Sequence, residues 1–211
     1  MDEEKTEEKK AYSVAEAVDV LKQTAKKRNF TQSFDLIINL KNIDLRKPEN
    51  KFSREVALPH GRGKEAAVGI FSDTINGAVS RNDIDQMGKK EIRKLVHSSE
   101  FFLSEAPLMT LIGKSLGKYL GPVGKMPSPF PAGLKDVSPL VATKKRSVRI
   151  KLRDSPTIQV PVGTEQMETS AVEENARQVL TTLEGVLPKG RNQIKNVGLK
   201  LTMTKPVAIT Y

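Results

Sequence analysis

Residues 27–40 read KRNFTQSFDLIINL, and within them the hydrophobic period of the chain changes. Upstream, Val14, Val18, Leu21 and Ala25 recur at helical spacing behind Ser13 and Glu16, a Ser-x-x-Glu capping box, which predicts a helix to about Lys27. From Phe34 the period is two: Phe34, Leu36, Ile38 and Leu40 fall on one face, with Ser33, Asp35 and Asn39 opposite. That pattern is a half-buried strand, which must find its partners elsewhere in the chain. A polar turn, NIDLRKPEN, leads to a second strand around residues 54–58. Then Pro59, His60, Gly61, Arg62 and Gly63 break the pattern.

The middle of the chain reads differently. An apolar run at 67–71, a helical stretch over 84–96, a short strand at 101–103 and a helix over 108–119 alternate in the manner of a parallel sheet. The following GPVGKMPSPFPAG, residues 121–133, holds four Pro and three Gly and predicts no regular structure, with a short helix after it near Val141. From Ser147 alternation returns in SVRIKL and again in 157–162, joined by Asp154, Ser155 and Pro156, which predicts an antiparallel hairpin. Ser170 and Glu173 form a second capping-box pattern, opening a helix whose apolar side is Val172, Ala176, Val179, Leu180 and Leu183. A last strand region, 197–209, breaks at Pro206. The two ends thus share a helix-plus-antiparallel-strand character that the middle lacks. The expected architecture is α/β with two domains: a split α+β domain from 1–62 and 146–211, and an inserted β/α domain from 63–145.

Charge narrows the function. The formal charge is +10 and the pI about 9.7, which favours a polyanionic partner: nucleic acid, an anionic membrane surface or an acidic protein. Basic residues cluster at Lys22, Lys26, Lys27 and Arg28, over 144–153, and after Glu184, where residues 185–211 hold five basic residues and no acid. If the outer segments form one domain, these clusters would give it a concentrated positive field. With aromatics at 5% and no Trp, backbone and shape recognition of folded RNA fits better than a base-stacking platform. No apolar stretch is long enough to span a bilayer, and the leading MDEEKTEEKK reads as a solvated tail without the apolar core of a secretory signal. A cytoplasmic location is expected. Zero Cys and two isolated His, His60 and His97, leave little for a metal site. No metal or cofactor is expected.

Enzymatic signatures fail on inspection. Gly124 and Lys125 suggest a phosphate loop, but Tyr119 and Met126 stand where that pattern needs Gly and Ser or Thr. Gly61, Gly63 and Ala66 imitate a dinucleotide fingerprint yet precede a strand instead of linking strand to helix. The rival to a binding protein is a nucleotide-dependent enzyme acting through the inserted β/α domain, with the basic ends clamping its substrate.

Four stretches carry a family resemblance: KRNFTQSFDLIINLKNIDLRKPEN with REVALPHGRGK, then LGKYLGPVGKMPSP, then IQVPVGTEQMETSAVEENARQVL, and finally LTMTKP. In this order they resemble the universal ribosomal large-subunit protein one family, in its archaeal and eukaryotic style. Its Leu-Pro-His-Gly turn leaves the first domain, its Glu-Asn-Ala motif is matched by Glu174, Asn175 and Ala176, and its Thr-Met-Gly-Lys close by Thr202 to Lys205. The resemblance implies a split RNA-binding domain and a Rossmann-like inserted domain, hinged near His60, Gly61 and Arg146. It implies no catalysis. It also implies binding to large-subunit rRNA at the base of a mobile stalk beside the tRNA exit site, contact with exit-site tRNA, repression through the protein's own mRNA leader, and a monomer off the ribosome. Phe30, Ser33, Asp35, Gly163, Thr164, Thr202 and Met203 would face RNA, with Lys27, Arg28, Thr204 and Lys205 beside them. Gly121, Gly124, Lys125 and Met126 would contact RNA or shape the interdomain cleft. Two departures stand out: Thr204 replaces the family's Gly, and Asn29 stands where many members are basic.

Overall fold

A computed structural model describes residues 11–75, 77–134 and 136–210; the tail reading of the first ten residues lies outside them. The chain begins with α1 (Val14–Thr24), β1 (Ser33–Leu40) and β2 (Phe52–Ala57). The middle contains β3 (Val68–Phe71), α2 (Arg81–Gln86), α3 (Lys89–Ser98), β4 (Phe101–Glu105), α4 (Met109–Ser115), α5 (Gly117–Val123), β5 (Ser128–Phe130) and α6 (Ser138–Lys145). It ends with β6 (Ser147–Leu152), β7 (Thr157–Thr164), α7 (Thr169–Val186), β8 (Ile194–Leu201) and β9 (Val207–Ile209). Two compact units result, Met1–Lys64 with Val148–Tyr211, and Glu65–Ser147.

In the outer unit, β1 has alternating burial along its whole length, with Phe34, Leu36, Ile38 and Leu40 inside. It is a central strand of a four-stranded sheet ordered β7-β1-β8-β9, antiparallel at each junction. Ala17, Val18 and Leu21 of α1 and Val172, Ala176, Val179, Leu180 and Leu183 of α7 cover its apolar face. Burying Phe34 alone stabilises this core by roughly 1.5 to 3 kcal/mol. The capping box of α1 forms as the sequence predicts, but the helix stops at Thr24, because past Ala25 no apolar residue remains to hold another turn against the sheet.

Two further expectations for this unit are corrected. β6 and β7 do not form a hairpin: β6 pairs with β2 in a separate two-stranded sheet, while β7 pairs with β1. The switch occurs at Pro156, which has no N–H to donate and whose carbonyl accepts from Leu40 N–H at 2.8 Å. Nor does Ser170 cap α7, which begins one residue earlier behind Glu168 without a side-chain cap. Thr169 Oγ1 instead donates to Asp19 Oδ1 at 2.9 Å, joining α7 to α1.

The inner unit is a three-stranded parallel sheet, β3-β4-β5, with helices in its connections. Phe71 and Phe102 stack at 5.5 Å between centroids, and Ile112, Leu116 and Leu120 pack in the same cluster. The single helix expected over 84–96 is two, α2 and α3, parted at Met87 and Gly88, where Glu91 accepts from Gly88 N–H at 2.9 Å. Residues 121–133 are more regular than their Pro and Gly content suggests, since they hold the end of α5 and all of β5.

Glu105, at the end of β4, is a buried carboxylate with a defined polar shell. It accepts from the Ser72 hydroxyl and from Thr74 Oγ1 at 2.6 Å. The Ser72 hydroxyl, then the Thr74 hydroxyl and the backbone amides of Thr74 and Asp73, hold its pKa below the ordinary carboxylate value against the opposing effect of burial. A folded pKa below the unfolded one stabilises the fold above the unfolded value and ceases to do so as pH falls through the folded value. The unfolded value is about 4.3. Melting temperature should therefore fall more steeply below about pH 4 in the native protein than in Glu105→Gln; parallel melting curves for the two proteins would contradict this reading.

Candidate nucleic-acid interface

The register of the outer sheet gathers three chain segments at one end. Ser33 lies opposite Thr164, and Phe34 opposite Leu201, so the entry to β1 and the exits of β7 and β8 lie side by side. Thr202 N–H donates to the Ser33 carbonyl and Ser33 N–H to Thr202 Oγ1, both at 3.1 Å. Gln32, only 2% exposed, binds these segments from below. Its Oε1 accepts from Met203 N–H at 3.3 Å, its Nε2 donates to Glu165 Oε2 at 3.4 Å, and its carbonyl accepts from Glu165 N–H at 3.0 Å.

Residues 201–204 make a tight turn on this platform. Thr204 N–H donates to the Leu201 carbonyl at 3.0 Å, and Thr204 Oγ1 accepts from Leu201 N–H at 2.9 Å. The Thr204 side chain is thus turned back onto its own loop. At the tip, Met203 is 58% exposed, and Phe30 on the neighbouring segment is 47% exposed. A depression of about 450 Å³ lies alongside, and Lys26, Arg28, Met203, Thr204 and Lys205 are among the residues that line it. Lys27, Arg28 and Lys205 are exposed; Lys22 instead donates to the Met167 carbonyl at 2.7 Å and ties α1 to the turn after β7. Asp35 sits on the outer face of β1 opposite Lys200. Partial burial raises its pKa, and Lys200 pulls it back.

Several expected site residues have other roles. Thr164 is 4% exposed and fills the space over Gly63, where a Cβ would meet its hydroxyl at 2.4 Å. Gly163 is buried against α7, with Val172 Cγ2 2.9 Å from where its Cβ would be. Neither presents a side chain at the surface, because the turn closes over the core where α7 crosses β7. Lys125 donates to the Val96 and Ser99 carbonyls at 2.6 and 2.7 Å, capping the C-terminus of α3, so its ammonium is engaged inside the inner unit. Gly124 ends α5 in the left-handed region, at φ 72°. Gly121 and Met126 are exposed, as is Arg146, which caps the end of α6.

His60 and Gly61, expected at a hinge, are braced by a residue that the pattern did not single out for this purpose. Asn175 is fully buried. Its Oδ1 accepts from His60 N–H at 3.2 Å, and its Nδ2 donates to the carbonyls of Gly61 at 2.6 Å and Val162 at 2.8 Å. His60 Nε2 also lies 2.6 Å from Glu174 Oε2. Asn175 sits among Val172, Ala176 and Val179 on the apolar side of α7, and a polar residue on such a face is, beside the Glu-Asn-Ala motif, the sequence signal for its bracing role.

Exposed cations beside an exposed Phe, an exposed Met and a Thr hydroxyl suit a sugar–phosphate backbone, with charge for phosphates and apolar groups for sugar faces. Among the described residues no group of three or more His, Asp or Glu could hold a metal ion, and no helix is long and apolar enough to cross a membrane.

Residues 21–205 match the Ribosomal protein L1p/L10e family, and the chain belongs to it. It is 42% identical over 207 residues to the large ribosomal subunit protein uL1 of Pyrococcus horikoshii, covering 93% of this chain and 94% of the relative. The protein of the same name from Thermococcus kodakarensis is 41% identical over 210 residues, covering 93% and 96%. That from Methanocaldococcus jannaschii is 41% identical over 208 residues, covering 93% and 94%. The family is one of structural ribosomal proteins, so the nucleotide-dependent enzyme reading is set aside.

Proposed function

We propose that this protein is a constituent of the cytoplasmic large ribosomal subunit whose outer unit binds large-subunit rRNA through the end of the sheet that carries Phe30 and Thr202 to Lys205. Its post is the base of the mobile stalk beside the tRNA exit site, where it assists movement and release of exit-site tRNA. Off the ribosome it is a monomer and represses translation by binding a similar fold in its own mRNA leader. The observation that carries the reading is the gathering of Lys26, Arg28, Met203 and Lys205 around one depression beside exposed Phe30. Family membership, and the printed name of the relatives as large-subunit proteins, support the ribosomal post.

Removing the inner unit tests where recognition lies. Ala66 N–H donates to the Lys145 carbonyl at 3.1 Å, so the two crossings are adjacent, and a short Gly-Ser linker can join Lys64 to Val148. Gly63 is kept because Thr164 packs against it. The excised protein should fold cooperatively and retain most of the selectivity for an rRNA stalk fragment over unrelated duplex, in competition binding at one fixed salt concentration. The isolated inner segment should bind weakly and without selectivity. A folded excised protein without discrimination, or an inner segment that retains it, would place recognition in the other unit.

A further inference from the structure

The strand register that gathers one end of the outer sheet also defines its opposite end, about seven residues or roughly 23 Å away along β1. There Leu40 lies opposite Ile194, and Asn39 opposite Thr157. The chain segments 41–51, 153–156 and 189–195 therefore meet. They hold eight Lys and Arg against three acids: Lys41, Arg46, Lys47, Lys51, Arg153, Lys189, Arg191 and Lys195 against Asp44, Glu49 and Asp154. All eight cations are exposed. By contrast, segments 25–33, 164–168 and 201–206 at the first end hold four cations and two acids. The basic clusters do not make one field: Lys144, Lys145 and Arg146 belong to the inner unit, and of the two sheet ends the far one carries more of the charge.

The far end is a connected platform. Leu40 N–H donates to the Pro156 carbonyl at 2.8 Å and Lys41 N–H to the Gln193 carbonyl at 2.7 Å. The Gln193 side chain, 5% exposed, accepts from Lys189 N–H at 3.0 Å. Lys51 pairs with Asp154 at 3.6 Å, and Asp44 accepts from Arg46 N–H at 3.0 Å, so two of the three acids are engaged locally. A shallow depression of about 470 Å³ opens between Arg46, Lys51 and Arg153.

We propose that this end is a second RNA-binding face, which holds a duplex phosphate backbone without reading sequence. The exposed large apolar side chains of the described residues are Phe30, Val123, Met126, Leu140 and Met203, none of them at this end. A protein partner would lack an apolar anchor, and no aromatic lies in these segments to stack on bases. Dense exposed charge on a braced backbone is what phosphate contacts require. The inference goes beyond the rRNA reading and stands apart from it.

The test uses the full chain and a fluorescent 20-bp RNA duplex of arbitrary sequence. Its binding should fall about tenfold or more in Arg46→Gln/Lys47→Gln/Arg153→Gln, and the slope of log K against log salt should flatten by about 2 to 3. Lys27→Gln/Arg28→Gln/Lys205→Gln should weaken it less. With the first end saturated by a stalk fragment of large-subunit rRNA, the native protein should still capture the duplex in a ternary complex, and the far-end variant should not. If the stalk fragment fails to bind at all, the rRNA reading fails, and the two variants on duplex alone still decide the far-end face. Should the far-end variant melt early, Lys41→Gln/Lys189→Gln/Lys195→Gln replaces it. Duplex binding that depends no more on the far end than on the first end, or a far-end variant that loses polyglutamate while keeping duplex, overturns the proposal.

Discussion

Replacing Asn175 by Ala should lower the unfolding free energy by about 3 kcal/mol, among the larger effects that a single surface-preserving substitution can have. The side chain is fully buried and satisfies three backbone groups at once, the N–H of His60 and the carbonyls of Gly61 and Val162. Truncation would leave them without partners where water does not readily reach, and each buried orphan costs about 1 to 3 kcal/mol, less than additively. Asn175→Asp should be at least as harmful, since it keeps the acceptor for His60 N–H but replaces the one nitrogen that donates to both carbonyls with an oxygen facing them. Asn196→Ala, on an exposed position of β8, should stay within about 0.5 kcal/mol of the native protein. Urea unfolding of the three variants measures this. A loss under about 1 kcal/mol for Asn175→Ala would mean that the His60–Gly61 segment is held by something else.

The difference between Asn175 and Asn196 also marks what sequence could and could not reveal. Period two in β1 and period 3.6 along α7 were readable because a buried face repeats, and every apolar residue assigned to those faces is buried. Buried polar brackets such as Gln32, Asn175 and Gln193 interrupt or sit beside those faces and look like ordinary wet positions until the chain folds back over them. Strand partners were unreadable for a related reason: β6 and β7 each alternate correctly, but alternation says nothing about whether the neighbour is β1 or the preceding strand. Residues 121–133 misled because Pro is tolerated where a backbone N–H has no partner to meet. β5 is an edge strand of its sheet, which accommodates Pro129, and α5 is short enough to carry Pro122 near its end with little lost. For the candidate site, the structure places Thr202 and Met203 at the end of β8 beside the entry to β1, and leaves Phe30 and Met203 exposed. Gly163 and Thr164 belong to the interior, because the turn they occupy is pressed between α7 and Gly63.

Truncating Phe30 and Met203 together to Ala should weaken binding to the stalk-base fragment of large-subunit rRNA by about 2 to 4 kcal/mol, roughly thirty- to several-hundred-fold. Stability should stay nearly intact. Both side chains are about half exposed, at 47% and 58%, so their removal opens no cavity of the kind that makes core truncations cost about 2 to 5 kcal/mol. The turn that presents Met203 is held by backbone groups, Gln32 and Thr204, none of which the substitution touches. Exposed apolar groups beside Lys26, Arg28 and Lys205 would lie against sugars and bases while the cations meet phosphates, so the loss should appear for the rRNA fragment and much less for unrelated duplex. The direct measurement is the affinity of the double variant for both RNAs at one salt concentration, beside its melting curve. The account predicts an unchanged melting temperature with a selective loss for the rRNA fragment. An unchanged affinity for that fragment, or a large fall in melting temperature with selectivity intact, would contradict it.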